Sequence, residues 1–474
     1  MSVSSSVHVG QRLRVTIERL VFQGSGLGRL SDGRIVFVPY TAPGDDAEVE
    51  VTETRDDYVR ARLVRLLSPG PTRATPACRY FGTCGGCHWQ HLTYASQLEW
   101  KRDILCELLA RVGKLTDVPV STPIASASPW EYRARAQFKV FAGSRLHIGF
   151  HQRETHRVVD IDRCPLLDAR LNRVLEILRD MRDPAFPKLF PRLREIWVAV
   201  GAGAGAGAGT GTGTGEAVVS LFARAQDRAA IRLLFHRIHA EVPTLQGVVL
   251  LDGDPRQHPR FVDRHGHGAI MEQVGAHRFR VDATAFFQVS ALAAETLTRL
   301  VMEGAGLTRS ERVLDLYGGV GTFTVPLARH AKEVVGVEAN AAAAADATHN
   351  LRINECAGAR IIQAQAEQAL PALAQEGPWD LVVLDPPRQG ASRRVLDAIT
   401  EMAVPRIVYV SCDPSTLARD LGALVPAAYR CIALTPVDLF PQTFHLESVA
   451  VLERTRGRQG NRSKPPVLLG QLTH

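Results

Sequence analysis

Ser411-Cys412-Asp413-Pro414 follows the apolar, β-branched run Ile407-Val-Tyr-Val410. Such a run reads as a buried strand. Cys412 then lies just past the strand's carboxyl end, where open α/β sheets bind their ligands. A thiol in that position can serve as a nucleophile if its neighbours favour the thiolate. The competing reading is a small buried core residue, the ordinary state of a free cysteine. Upstream, Leu384-Asp385-Pro-Pro-Arg388 sets a carboxylate at the end of another apolar run. Asp385 there either orients a ligand or caps local backbone.

Asp315-Leu-Tyr-Gly-Gly-Val-Gly321 joins a strand to a helix opening at Phe323. Its glycines allow a sharp bend and close approach of a ligand to the backbone. Glu338, at the end of the next strand, is placed to accept both hydroxyls of a ribose. A dinucleotide site would ask for glycine at position 324 for close helix–strand packing, and Thr324 stands there. An acidic residue closing the first strand also suits the sulfonium of S-adenosylmethionine. On the residues alone both cofactors remain open, with a purely structural turn as a third reading.

Cys78, Cys84 and Cys87 form a tight group, and Cys164 precedes Pro165 far downstream. Four thiolates can hold zinc or an iron–sulfur cluster. A triplet with a distant fourth cysteine before proline leans toward the cluster, while His88 and His91 keep zinc open. Cys106, Cys356 and Cys431 lie in periodic or apolar surroundings and read as packing.

These groups need elements to hold them. The 474 residues suggest about three domains by length. Short alternating strands at 13–17, 34–38, 47–51 and 59–63, with turns between them, predict a small antiparallel barrel. Residues 92–115 read as an amphipathic helix and 120–280 as mostly strand. Gly201–Gly215 is a Gly/Ala/Thr tract with nothing to bury, read as an expanded hairpin tip. Beyond Asp282, strands and helices alternate as in a doubly wound α/β domain, with Ser290 capping a helix that ends at Gly306.

No apolar run approaches the ~20 residues that span a bilayer. Met1-Ser-Val-Ser-Ser-Ser6 has neither a basic nor an apolar region, so a cytoplasmic location is expected. A net charge of +7 favours a polyanionic partner. Between Trp130 and Arg157 six Lys/Arg alternate with Tyr132, Phe138, Phe141 and Phe150. That mixture suits RNA, by phosphate neutralisation and base stacking. It equally suits a sheet with one charged and one aromatic face.

Together these motifs resemble the RNA uracil-C5 methyltransferase family, the 5-methyluridine enzymes of tRNA and 23S ribosomal RNA. The resemblance runs over roughly residues 10–455 and rests on four signatures in the family's order. They are a TRAM-like barrel, the Cys78/Cys84/Cys87/Cys164 set, Phe286-Phe-Gln288-Val-Ser290, and the run from Asp315 to Glu447. It implies a class I, Rossmann-like methyltransferase domain at 281–455, an N-terminal OB-like barrel at 1–68, a β-rich central domain at 69–280 and a basic tail at 456–474. It implies Cys412 as nucleophile toward carbon 6 of uracil and Glu447, in Phe444-His-Leu-Glu447-Ser448, as base. By the same resemblance S-adenosylmethionine meets Gln288, Tyr317, Thr322, Glu338, Gln365 and Asp385, and the four cysteines hold a 4Fe–4S cluster. Ser290, Thr322 and Gln365 depart from the commonest family pattern. The target base must leave its stack, and Phe286 is a candidate wall for it. Barrel and cysteines together favour 23S ribosomal RNA over tRNA as partner; no obligate protein partner is evident.

Overall fold

The computed structural model describes residues 7–142, 146–181, 193–202, 215–223, 228–255 and 259–455. The chain begins with five strands, β1 (Arg12–Leu20), β2 (Gly26–Arg29), β3 (Ile35–Val38), β4 (Asp46–Thr54) and β5 (Tyr58–Ser68). They close into a barrel in the order β1-β2-β3-β5-β4. Alternate residues turn inward, so Val15, Ile17, Val36, Val38, Val49 and Val59 fill the centre. Two points differ from the expectation. The barrel is not wholly antiparallel, since β3 and β5 pair in parallel. And Gly26, read as the end of a Gly24-Ser-Gly26 turn, opens the strand Gly26–Arg29. A Cβ on Gly26 would lie 2.2 Å from Thr41 Oγ1, and one on Gly28 2.5 Å from the Thr16 carbonyl. Glycine there answers close backbone approach in a small barrel rather than a turn.

The middle of the chain builds a seven-stranded sheet, ordered β12-β11-β10-β9-β6-β7-β8. Its strands are β6 (Arg135–Ala142), β7 (Leu146–His151), β8 (Val158–Asp160), β9 (Glu195–Val200), β10 (Ala217–Phe222), β11 (Leu245–Asp252) and β12 (Arg260–Gly266). Two helices the sequence reading missed, α2 (Ala169–Asp180) and α3 (Arg228–His239), share its core through Leu171, Leu175 and Leu234. β9 and β10 pair antiparallel with Val200 opposite Ala217. The ends of the Gly/Ala/Thr tract therefore meet; residues 203–214 of it lie outside the described residues, as does the basic tail at 456–474.

Part of the basic–aromatic stretch proves internal. Arg135 pairs with the buried Glu272 at 3.0 Å, Lys139 pairs with Glu195, and Phe138 is fully buried. Phe141 is exposed, so neither of the two alternatives describes the whole stretch.

After the hairpin β13 (Ala269–Val274) and β14 (His277–Asp282) comes the α/β unit. Its strands are β15 (Arg312–Leu316), β16 (Glu333–Glu338), β17 (Ala359–Gln363), β18 (Leu381–Leu384), β19 (Arg406–Ser411), β20 (Tyr429–Val437) and β21 (Glu447–Arg454). The order is β17-β16-β15-β18-β19-β21-β20, parallel except for β21, which runs antiparallel to both neighbours. Helix Ala291–Ala305 begins with Ser290 Oγ accepting the Ala293 N–H and stops at Gly306, φ +59°. The helix α1 (Tyr94–Arg111) comes before the central sheet in sequence but packs here. Leu105, Leu108 and Leu109 join Leu417, Leu421 and Leu434 in one core. Burying each such leucine stabilises by about 1.5–3 kcal/mol. Among the described residues no helix is long and apolar enough to cross a membrane.

Candidate active site

The carboxyl ends of β15, β16, β18 and β19 face one cavity of about 1560 Å3. Cys412 follows β19 and Asp385 follows β18; Tyr317 follows β15 and Glu338 ends β16. Glu447 comes from the opposite direction. It is the first residue of antiparallel β21, where Ser448 sits opposite Ser411. Cys412 and Glu447 thus leave the paired strands side by side, and both line the cavity. So do Gln288, Thr322 and Gln365, which completes the set expected to meet a cofactor.

The loop after β15 is tightly wound. Tyr317 has φ +65°, a region costly for a side chain with a Cβ, and Gly319 and Gly321 follow at +56° and +88°. Glu338 braces the loop: its carboxylate accepts the Gly319 N–H at 2.9 Å and the Asn340 N–H at 2.6 Å. Each oxygen keeps a lone pair for a ribose hydroxyl. Thr324 turns inward and donates to Asp315 Oδ2 at 2.5 Å. The room for close packing comes from Gly336 on β16, where a Cβ would sit 2.7 Å from Ile361 and 3.2 Å from the Thr324 side chain.

Five carboxyls and four Lys/Arg line this cavity, and the buried carboxyls at and behind its wall are shifted. Burial pushes the Asp315 carboxyl up to about 7 and leaves its Oδ1 without a partner. Asp385 is also raised to about 7, by burial and then by Asp315 and Glu338. Glu447 lies well above the usual carboxylate range because of burial and then Asp385. The Cys412 thiol is pushed up to about 12 by burial first, then by Glu447 and Asp385. Arg388 opposes these shifts at both Cys412 and Glu447. A bound cation would oppose them too.

Phe286 is 74% exposed and lines the cavity, so it is no core residue. Phe440 and His445 form another wall, on the segment that leads into Glu447. Burial, then Arg388, drives His445 down to about 3, so it is neutral. That segment is anchored from α1: Lys101 Nζ donates to Asp438 Oδ1 at 2.6 Å and to the Phe440 carbonyl at 3.1 Å, with both charged side chains fully buried. Asp413 caps helix Pro414–Ala427 by accepting the Ser415 and Thr416 N–H groups. The sequence reading singled out neither Lys101 nor His445. Arg388 was visible, as the last residue of the Asp-Pro-Pro-Arg run.

Cys78, Cys84, Cys87 and Cys164 meet around a separate, mainly apolar cavity of about 60 Å3. Arg133 also lines it, and the Gly86 N–H donates to Cys84 Sγ at 3.5 Å. No Asp, Glu or His lines it; His91 instead contacts the Thr41 carbonyl and His88 packs on Phe444. Among the described residues no group of three or more His, Cys, Asp or Glu is disposed to hold a metal ion. Four cysteine thiols, with no carboxylate or imidazole beside them, face the cavity.

Residues 270–455 match the tRNA (uracil-5-)-methyltransferase family, and residues 6–64 match the TRAM domain. An uncharacterized RNA methyltransferase of Gloeobacter violaceus is 35% identical over 458 residues, covering 94% of this chain and 97% of its own. One from Halalkalibacterium halodurans is 35% identical over 455 residues, covering 93% and 96%. Among solved structures, the Pyrococcus abyssi tRNA (uracil-54, C5)-methyltransferase in complex with S-adenosyl-L-homocysteine superposes with a TM-score of 0.70 at 26% identity. The match covers 92% of this chain and 100% of that one.

Proposed function

The chain belongs to the RNA uracil-C5 methyltransferase family and uses S-adenosylmethionine to methylate carbon 5 of uracil in RNA; we propose that Cys412 and Glu447 carry the reaction and that its target is a uridine of 23S ribosomal RNA. The observation that carries the catalytic assignment is the pairing of β19 with β21, which brings a thiol and a carboxyl together at one cavity wall.

Carbon 5 of uracil is too weak a nucleophile to take a methyl group unaided. Addition of the Cys412 thiolate to carbon 6 turns the ring into an enolate, and carbon 5 then attacks the methyl group. S-adenosylmethionine supplies that electrophilic methyl group and a positive sulfonium. Arg388 favours the Cys412 thiolate, against the carboxylates around it. Glu447 removes the proton from carbon 5, and the electron pair released expels Cys412. Phe286 and Phe440 are the ring faces available to a base turned out of its stack. Gln288, Tyr317, Thr322, Glu338, Gln365 and Asp385 bind the cofactor.

Cys78, Cys84, Cys87 and Cys164 hold a 4Fe–4S cluster, which cross-links the segment after the barrel to the central sheet. It takes no part in methyl transfer. Support for ribosomal RNA is the coexistence of the barrel with this cysteine set. The tRNA reading draws on the full-length likeness to the Pyrococcus abyssi tRNA (uracil-54, C5)-methyltransferase. Mapping 5-methyluridine in ribosomal and transfer RNA, with and without the gene, decides between them. Loss of the modification from tRNA alone would refute the ribosomal assignment.

A further inference from the structure

Beside the catalytic cavity lies a second one, of about 480 Å3, between the barrel's Phe22–Gln23 turn, the cysteine segment, residues 151–155 and the segment before Glu447. Arg388 and His445 line both cavities. Aromatic rings pack along the groove: Phe22 meets Phe444 edge-on with centroids 5.9 Å apart, and His88 lies 4.6 Å from Phe444.

Two features suggest that this groove is built for a ligand. Gln23 and Glu154 both line it with positive φ, at +72° and +56°. Glycine would be at ease at either position. Both side chains are exposed, and Gln23 makes no hydrogen bond among the described residues. In addition, His88 Nδ1 is buried without a partner, whereas the Arg153 guanidinium lies over the Tyr40 ring and donates to Glu154. Buried polar atoms normally have a partner.

We propose that this groove seats an unpaired nucleotide adjoining the target uridine in the same RNA strand. The inference rests on the catalytic reading above. Turning a uracil out of its stack also strips its neighbour of a stacking partner, and the Phe22 ring offers a replacement face. Arg388, shared by the two cavities, is placed for the phosphate that joins the two nucleotides. Glu154, which accepts the Arg153 Nε–H, and Asp413, which caps the following helix, put carboxylates in the groove itself. Their remaining lone pairs suit a base edge bearing N–H donors. Gln23 adds an amide able to give and accept a hydrogen bond on that edge.

The test uses the full-length protein and total RNA from cells in which the gene is deleted, with methyl transfer from labelled S-adenosylmethionine as readout. Phe22→Leu keeps apolar volume but loses the ring, whereas Phe22→Tyr keeps the ring. Phe22→Leu should raise KM for RNA about tenfold and Phe22→Tyr should stay near the parent, as expected for base stacking. Gln23→Gly relieves the backbone, so it should melt no lower than the parent yet also show a raised KM for RNA. KM for S-adenosylmethionine should stay unchanged in all three. An unchanged KM for RNA in both Phe22→Leu and Gln23→Gly would overturn the proposal, as would equal behaviour of Phe22→Leu and Phe22→Tyr. A parent protein inert toward this RNA would instead overturn the catalytic reading beneath it.

Discussion

Gln97 and Gln442 bond to each other in both directions: the Gln442 N–H donates to Gln97 Oε1 at 2.8 Å, and Gln97 Nε2 donates to Gln442 Oε1 at 3.0 Å. Gln442 has φ +68°, and its carbonyl accepts the N–H groups of His88 and Trp89. One buried residue therefore joins α1, the cysteine segment and the approach to Glu447. Gln97→Leu should leave the Gln442 polar atoms unpaired, at about 1–3 kcal/mol for each buried group. Stability should fall, and kcat should fall more than affinity for S-adenosylmethionine. Normal kcat in a variant that melts lower would mean the pair only supports the fold.

The two catalytic roles separate by variant. Cys412→Ala should abolish methylation together with any covalent RNA adduct. Glu447→Gln keeps the nucleophile but cannot accept the carbon-5 proton, so methylated RNA should stay bonded to Cys412. Denaturing gels should show this species in Glu447→Gln and lose it in the double variant. Normal turnover by Glu447→Gln would refute the assignment.

Two buried carboxyls predict a pH dependence. Asp315 and Asp385 both rise from an ordinary 3.8 to about 7 in the folded chain. The fold then binds protons more tightly than the unfolded chain. Their contribution favours folding most below the unfolded value and is lost as pH rises toward about 7. Thermal melts of the free protein should show that loss. Cationic S-adenosylmethionine should protect better at pH 8 than at pH 6, relative to its neutral thioether product, and Asp385→Asn should weaken the difference. A pH-independent difference in the parent protein would count against this.

For the cysteines, protein purified without oxygen should carry iron and sulfide in near-equal amounts. Cys84→Ser should lower both, and the melting temperature with them, while S-adenosylmethionine binding persists. Stoichiometric zinc without sulfide would reject the cluster.

Shortening the Gly201–Gly215 tract to a tight turn should leave methylation intact. The strands it joins already pair up to Val200 and Ala217, and loop length costs entropy only logarithmically. A large loss of activity would mean that the tract meets RNA.

Local patterns were enough to find five of the seven α/β strands, the Ser290 cap and the glycine loop, and to single out Cys412 as a candidate, because periodicity and turn chemistry act within a few residues. The resemblance supplied Glu447, but its neighbourhood gave no sign of β21, and the two helices in the central region also went unread. Gly26 looked like a turn residue because the side chains crowding it, Ile17 and Thr41, come from outside its neighbourhood in sequence. Which charges are buried was equally hidden. Lys101 and Asp438 are far apart in sequence, and only packing of α1 against the α/β unit removes both from water. Arg135 and Lys139, read as RNA-facing or solvated, find their carboxylates on β13 and β9. Residue types and spacing determined which chemistry the chain can do. Long-range packing alone decided which groups meet, how far their protons are shifted, and that a second groove opens beside the first.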